Sequence, residues 1–344
     1  MKTIYPEKHA LHHPDIELAE GQFIENFEKP DRAYYVLDYV QKRNFGEVIA
    51  PEQFSLETVL NTHDPRLVDF LQNAFDRWTA FGRSGTMFPT IFCAQNFNAK
   101  EPESILGQLG YFIGDGCAPI TPTTWEAVQD SAFAALTGQK LLASGEKSAF
   151  ALCRPPGHHA SSRLSAGYCY LNNAAIAAQA FIEQGAKRVA ILDVDYHHGN
   201  GTQGIFYDRD DVLFLSIHAD PAVDYPFFLG YADEKGIGKG DGYNVNYPLP
   251  HGTEYAAWKS ALEDSLKKIH AFGADYLIIS LGVDTFKNDP ISKFRLESDH
   301  FLDMGARIAG LNLPTLFVME GGYAIAEVGL NATNVLAGFL DHRK

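Results

Sequence analysis

The sequence predicts an α/β fold, a mainly parallel sheet with helices on both faces. Three observations carry this. Short apolar runs alternate with longer helical patterns through most of the chain. Several of those runs are rich in Val, Ile and Leu without polar alternation, as in strands covered on both faces. Two of the helical patterns stop at glycine, Gly185 and Gly273, where helix C-termini favour it. Strand and helix alternating in this way form a layered α/β architecture.

Taken in order, residues 30–44 (PDRAYYVLDYVQKRN) and 65–82 (PRLVDFLQNAFDRWTAFG) read as helices with proline near each start. Residues 82–120 have no long periodic segment and are rich in Gly, Pro, Asn and aromatics. A loop that long in a compact domain is usually functional or an assembly element. Helical patterns then cover 124–145, 171–185 and 254–273. Strands are expected at 147–153, 188–192, 212–217, 276–283 and 315–319. No repeat, low-complexity tract or linker divides the 344 residues, so one domain with a long excursion is expected.

Charge and cysteine usage exclude several functions. The balance of 28 basic against 43 acidic residues, a net −15, repels nucleic-acid phosphates and anionic membranes and is compatible with a cationic ligand. Cys93, Cys117, Cys153 and Cys169 are far apart and form no C-x-x-C pair. That argues against a zinc ribbon or a disulfide scaffold and fits a reducing cytoplasm. No apolar leader or 18-residue apolar stretch occurs, so a soluble cytoplasmic protein is expected.

In open α/β sheets, ligands sit beyond the carboxyl ends of the strands. Ionisable groups gather at those ends here. His158 and His159 follow the first predicted strand in RPPGHHA, and LDVDYHHGNG places Asp193, Asp195, His197 and His198 after the second. His218 follows the third, Asp284 and Thr285 the fourth, and Glu320 and Tyr323 the last, in EGGY. If 192–197 continues extended, Asp193, Asp195 and His197 share one face by the period of two. Asp195 and His197 could then hold one ion, with Asp284 as a third ligand from another strand. Two carboxylates and an imidazole with an open position suit a catalytic metal better than a closed structural one. A polar cluster that satisfies itself is the alternative. One histidine of the 158–159 pair could act as general base toward a water activated by the metal. Tyr323, neutral at pH 7, could donate to a developing oxyanion.

The blocks RPPGHHA, LDVDYHHGNGTQ, LGVDTFKNDPIS and MEGGY resemble, in order, those of the zinc-dependent histone deacetylase family, most closely its bacterial acetylpolyamine amidohydrolase branch. The early DIELAEG and the 82–120 excursion add to the likeness. The resemblance implies an arginase–deacetylase fold with a mostly parallel eight-stranded sheet. It implies zinc, or iron(II) in cells, on Asp195, His197 and Asp284. It makes His159 the general base and then acid, lets His158 assist electrostatically, and has Tyr323 polarise the amide carbonyl. Asp193 pairs with His158, and Asn200 with His159. A neutral amide fixes that imidazole without raising its pKa as a carboxylate would. His198 is then structural rather than a ligand. Structural potassium is implied at Asp193, Ser216 and Ile217, and at Phe206, Arg209, Val212 and Tyr243, mostly through backbone oxygens.

For substrate, the likeness makes Tyr168 and Tyr225 the walls of a narrow tunnel, with Ile291 near its rim. Such a slot suits a methylene chain ending in an acetamide. Glu17 corresponds to an acid that meets the distal ammonium of a polyamine, and the 82–120 excursion to a dimer-forming insertion that narrows the entrance. Leu106 and Cys117 stand where some relatives carry acids, which favours shorter acetylated diamines. The expected function is deacetylation of acetylated polyamines or diamines by a homodimer. Rivals are a protein acetyl-lysine deacetylase, a dinuclear manganese ureohydrolase and a non-catalytic polyamine binder.

Overall fold

The computed structural model describes residues 1–94 and 99–343. Its strands are β1 (Lys2–Ile4), β2 (Ile16–Ala19), β3 (Gln22–Glu25), β4 (Val48–Ile49) and β5 (Ser148–Ala151), then β6 (Val189–Asp193), β7 (Val212–Ala219), β8 (Asn244–Leu249), β9 (Tyr276–Leu281) and β10 (Thr315–Met319). Eight of them form one sheet in the order β4-β1-β5-β10-β9-β6-β7-β8, with every neighbouring pair parallel. β2 and β3 form a separate antiparallel hairpin.

The five expected strands are the buried middle of that sheet. β5, β6, β7 and β10 are buried throughout, as their unbroken apolar runs imply. Alternate residues point to opposite faces. Leu192, Leu215, Ile279 and Phe317 pack with Trp258, Phe301 and Phe339 from helices Tyr255–Phe272, Ser298–Ala309 and Ile325–His342. Ile191, Phe214, Ile278 and Val318 pack on the other side with Ala134 and Phe181, from helices Thr124–Ala143 and Asn173–Glu183. Trp258 is fully buried, and truncating such a side chain costs about 3–5 kcal/mol. The helix stops fall where the glycines stand. Gly273 caps Tyr255–Phe272 in the left-handed conformation, and Gly185 adopts φ +98° one residue past the cap of Asn173–Glu183.

The sequence reading leaves out helices Glu57–Thr62, Asn200–Phe206, Ser298–Ala309 and Ile325–His342, and it misses further elements for physical reasons. β1 and β4 are too short to show a pattern. β8, at the sheet edge, is half-buried and contains Pro248, which edge strands tolerate. The β2–β3 hairpin lies outside the main sheet. The excursion at 82–120, read as loop, contains helix Ile105–Phe112; residues 95–98 of it lie outside the described residues. Two glycines in eight residues hide that helix from propensity. Gly110 is needed there, because a Cβ would sit 1.6 Å from the Ile91 carbonyl oxygen. The excursion has its own apolar support, in which Phe112 stacks on Phe70 of helix Pro65–Ala80 at 4.9 Å.

Candidate active site

The carboxyl ends of β5, β6, β9 and β10, adjacent in the sheet, deliver the candidate residues to one place. β6 stops at Asp193, and the segment beyond it turns instead of continuing extended. The expected strand face is therefore not what groups Asp193, Asp195 and His197. Each carboxylate instead accepts the amide two residues on: Asp193 Oδ1 from Asp195 N at 3.1 Å, and Asp195 Oδ1 from His197 N at 2.9 Å. Two successive turns of this kind set the spacing. β9 ends at Leu281, short of the expected 283, because the chain must pass close to Asp195. A Cβ on Gly282 would lie 2.0 Å from Asp195 Oδ2, and one on Gly321 2.5 Å from it.

Asp195, His197 and Asp284 are buried and offer ligand atoms within 4.8 Å of one another. His197 Nδ1 lies 3.1 Å from Asp284 Oδ2 and 3.4 Å from Asp195 Oδ1. Burial and the neighbouring Asp195 charge push the Asp284 carboxyl upward, while His197 acts against both. A divalent cation fits this set: two hard carboxylate oxygens and one imidazole nitrogen, all on buried side chains. His158, Cys169 and Glu320 also lie within such reach of one another. They fit a cation less well. His158 Nδ1 is engaged by Asp193 Oδ2 at 2.9 Å, and burial pushes the Cys169 thiol up. Glu320 Oε2 accepts the Gly157 and His158 amides at 2.7 and 3.1 Å.

The two tandem histidines differ in protonation. Burial, reinforced by His158 and His197, holds His159 well below the usual imidazole range. Its Nδ1 meets Asn200 Oδ1 at 2.7 Å, so Nδ1 carries the proton and Nε2 keeps its lone pair. For His158 burial acts downward, but the Asp195 and Asp193 carboxylates outweigh it and bring the group up to about 10. Tyr323 is held protonated far above the ordinary phenol range by burial. Asp289 Oδ2 accepts the Tyr323 and Ala324 amides at 2.7 and 3.1 Å. The Arg32 guanidinium lies 4.7 Å over the Tyr323 ring, and its Nε donates to the Gly322 carbonyl at 2.6 Å.

These groups line a cavity of about 590 Å³ whose wall includes Glu17, Cys117, His159, Tyr168, His197, Tyr225, Ile291 and Tyr323. The Tyr168 hydroxyl donates to Glu17 Oε1 at 2.8 Å, and burial pushes Glu17 up to about 7. Tyr225 stands edge-on to His159, with ring centroids 4.9 Å apart. Leu106 does not join them; it is exposed on helix Ile105–Phe112.

The residues expected to hold potassium lie behind this wall. Asp193 and Ser216 are register partners on β6 and β7, followed by Ile217, and Ser216 Oγ meets His218 Nδ1 at 2.8 Å. Phe206, Arg209, Val212 and Tyr243 line no part of the cavity. The Phe206 carbonyl accepts from Arg209 N, and that of Tyr243 from Phe214 N. His198 is buried against His218 at 4.5 Å, and neither of its ring nitrogens has a protein hydrogen-bond partner among the described residues. Sequence reasoning missed the roles of Glu320, Asp289, Arg32 and Asp115. The first two lie inside blocks already quoted. Arg32 and Asp115 come from the first third of the chain, where nothing in the local pattern points to the sheet edge.

A family model for the histone deacetylase domain matches residues 26–339. Acetylpolyamine amidohydrolase 2 of Pseudomonas aeruginosa is 58% identical over 98% of both chains. The acetylpolyamine amidohydrolase of Mycoplana ramosa is 50% identical over 98% of this chain and 99% of its own. Among solved structures, acetylpolyamine aminohydrolase from Burkholderia pseudomallei superposes with a TM-score of 0.95 at 38% identity, covering 100% of both chains.

Proposed function

The chain belongs to the histone deacetylase family, of the arginase–deacetylase fold, and on that premise we propose that it hydrolyses the acetyl amide of acetylated polyamines or small diamines. Acetylcadaverine and acetylputrescine are the substrates in view. The observation that carries this reading is that His197, of the buried Asp195–His197–Asp284 set, lines the same cavity as a neutral His159 and a protonated Tyr323. The names of the relatives support the acetylpolyamine substrate class.

Asp195, His197 and Asp284 would hold the metal, zinc or iron(II) in cells. When bound, it supplies Lewis-acid polarisation of the carbonyl and eases deprotonation of water. His159 Nε2 takes the proton from the attacking water as the new C–O bond forms. Tyr323 donates its hydroxyl hydrogen bond to the oxygen that becomes negative. As the C–N bond breaks, His159 gives the proton to the leaving amine, so water and amide become acetate and amine. Asn200 holds His159 in its reactive tautomer. His158, paired with Asp193, adds positive charge beside the site. Tyr168 and Tyr225 wall the methylene chain, Ile291 marks the rim, and Glu17 receives the distal ammonium. Potassium at the Asp193–Ser216–Ile217 and Phe206–Arg209–Val212–Tyr243 positions would stiffen the segments behind the wall.

In this reading the chain works as one domain in the cytoplasm, and the 82–120 excursion mediates a homodimer. Exposed Ile91, Phe92 and Leu106 give it an apolar surface to cover. No described helix is long and apolar enough to cross a membrane. The test is acetate release by the metal-loaded protein from acetylcadaverine, acetylputrescine, acetylspermidine and an acetyl-lysine peptide, side by side. Strong turnover of the small amines with little from the peptide is expected. Comparable peptide turnover would reassign the chain to protein deacetylation.

A further inference from the structure

We propose that Asp115 is a positioning residue that fixes the bore of the tunnel, tying the Tyr225 wall to the turn beneath His159. The inference rests on the tunnel reading above. One carboxylate oxygen, Oδ2, accepts both the Tyr225 hydroxyl at 2.7 Å and the Gly167 amide at 2.8 Å. The other, Oδ1, accepts the Cys117 amide at 2.9 Å. Burial pushes this carboxyl upward and the donors around it act the other way, three of them converging on its two oxygens.

What the acid joins is a tightly packed part of the cavity wall. Gly167 has φ +53°, and a Cβ there would stand 2.5 Å from His159 Cδ2 and 2.9 Å from the Tyr225 hydroxyl. Backbone, imidazole and phenol therefore meet with no slack, and the carboxylate is the bracket that keeps them so. The bracket is itself fixed on both sides. The Gly114 amide donates to the Ser165 carbonyl at 2.8 Å, and the Leu18 amide to the Gly116 carbonyl at 3.1 Å, next to Glu17. Asp115 thus links the end of the 82–120 excursion to the wall, the turn and the acid strand together. A phenylalanine at position 225 would supply the same ring but no hydroxyl to tether. Because the Tyr225 hydroxyl is spent on Asp115, that side chain acts on the substrate as an anchored surface and donates nothing to it.

The experiment compares Asp115→Ala, Asp115→Asn, Tyr225→Phe and the Asp115→Ala/Tyr225→Phe double variant with the parent, all metal-loaded. The substrates are acetylcadaverine, neutral N-butylacetamide and an acetyl-lysine peptide. For Asp115→Ala, KM rises about tenfold for both slender amides, kcat changes less, and the peptide gains relative to them; a loosened wall loses positioning. Asp115→Asn, which keeps the shape and part of the bonding, recovers much of the loss. Tyr225→Phe costs little once Asp115 is alanine, because residues sharing one interaction are not additive. A loss confined to the cationic substrate would overturn the proposal and make Asp115 an ammonium acceptor. Additive effects in the double variant would overturn it as well. If even the parent releases no acetate, the functional reading fails. The parent, Asp115→Ala, Tyr225→Phe and the double variant then decide the tether by melting temperature, where additive losses refute it and coupled losses support it.

Discussion

Tyr323 and His159 line the same cavity with opposite protonation at rest, one keeping its proton and the other lacking the second. Burial produces both states, since it penalises the phenolate and the imidazolium alike. Replacing Tyr323 by phenylalanine removes the donor and keeps the ring. Metal content should stay at the parent level while kcat falls roughly 10²–10³-fold, the scale of one lost oxyanion donor. Parent-level turnover would remove Tyr323 from the mechanism. Glu17 offers a pH test. Burial raises it to about 7, so it is mostly neutral below that pH and charged above it. An ammonium bound beside it favours the carboxylate. KM for acetylcadaverine should therefore fall as pH rises toward 7 and level off above, by about tenfold between pH 6 and 8. Glu17→Gln should flatten that slope, and N-butylacetamide should show none of it in either protein.

The central strands show how far pattern alone reaches. β5, β6, β7, β9 and β10 were legible because covered strands leave unbroken apolar runs, and the residues just past them supplied the candidate site. What was not legible had little burial to write a pattern, as in β4 and β8, or had glycines where packing demanded them, as in Ile105–Phe112. The turn after β6 was also hidden, because alternation of D-x-D-x-H looks the same whether a strand or two side-chain-capped turns produce it. Strand ends here are also intolerant. Gly282→Ala would drive a methyl group into Asp195 Oδ2. Such a variant should keep the fold by circular dichroism yet bind at most a small fraction of the parent's metal by elemental analysis; full occupancy would separate the β9 terminus from the ligand set.

At the scale of the molecule, the buried acids connect metal to stability. Asp195 and Asp284 share the His197 imidazole, and only Asp195 also has His158 near it, at 3.8 Å, among the described residues. A bound divalent ion that leaves with the fold stabilises by several kcal/mol once its concentration exceeds Kd by about 1,000-fold. Chelation should lower the melting temperature by several degrees, and zinc should restore it. An unchanged value would mean that the site binds no ion tightly. Composition foretold little at this scale beyond the class. The net −15 charge excluded partners without selecting one, and the groups that brace the site, Arg32, Asp115 and Asp289, meet it only through tertiary folding.

The sheet order has one more consequence. β10, the last strand in sequence, lies between β5 and β9, and so divides two groups of strands made earlier. The Gly321 amide just beyond it donates to Asp195 at 2.8 Å, and Tyr323 follows. The strand that joins the two halves of the sheet is therefore made after all the others. Until Thr315–Met319 arrives, the two halves of the sheet have no shared edge and the acids have no lid. A polypeptide stopped before Thr315 would lack both the strand that joins the halves and Tyr323, and so would be inert.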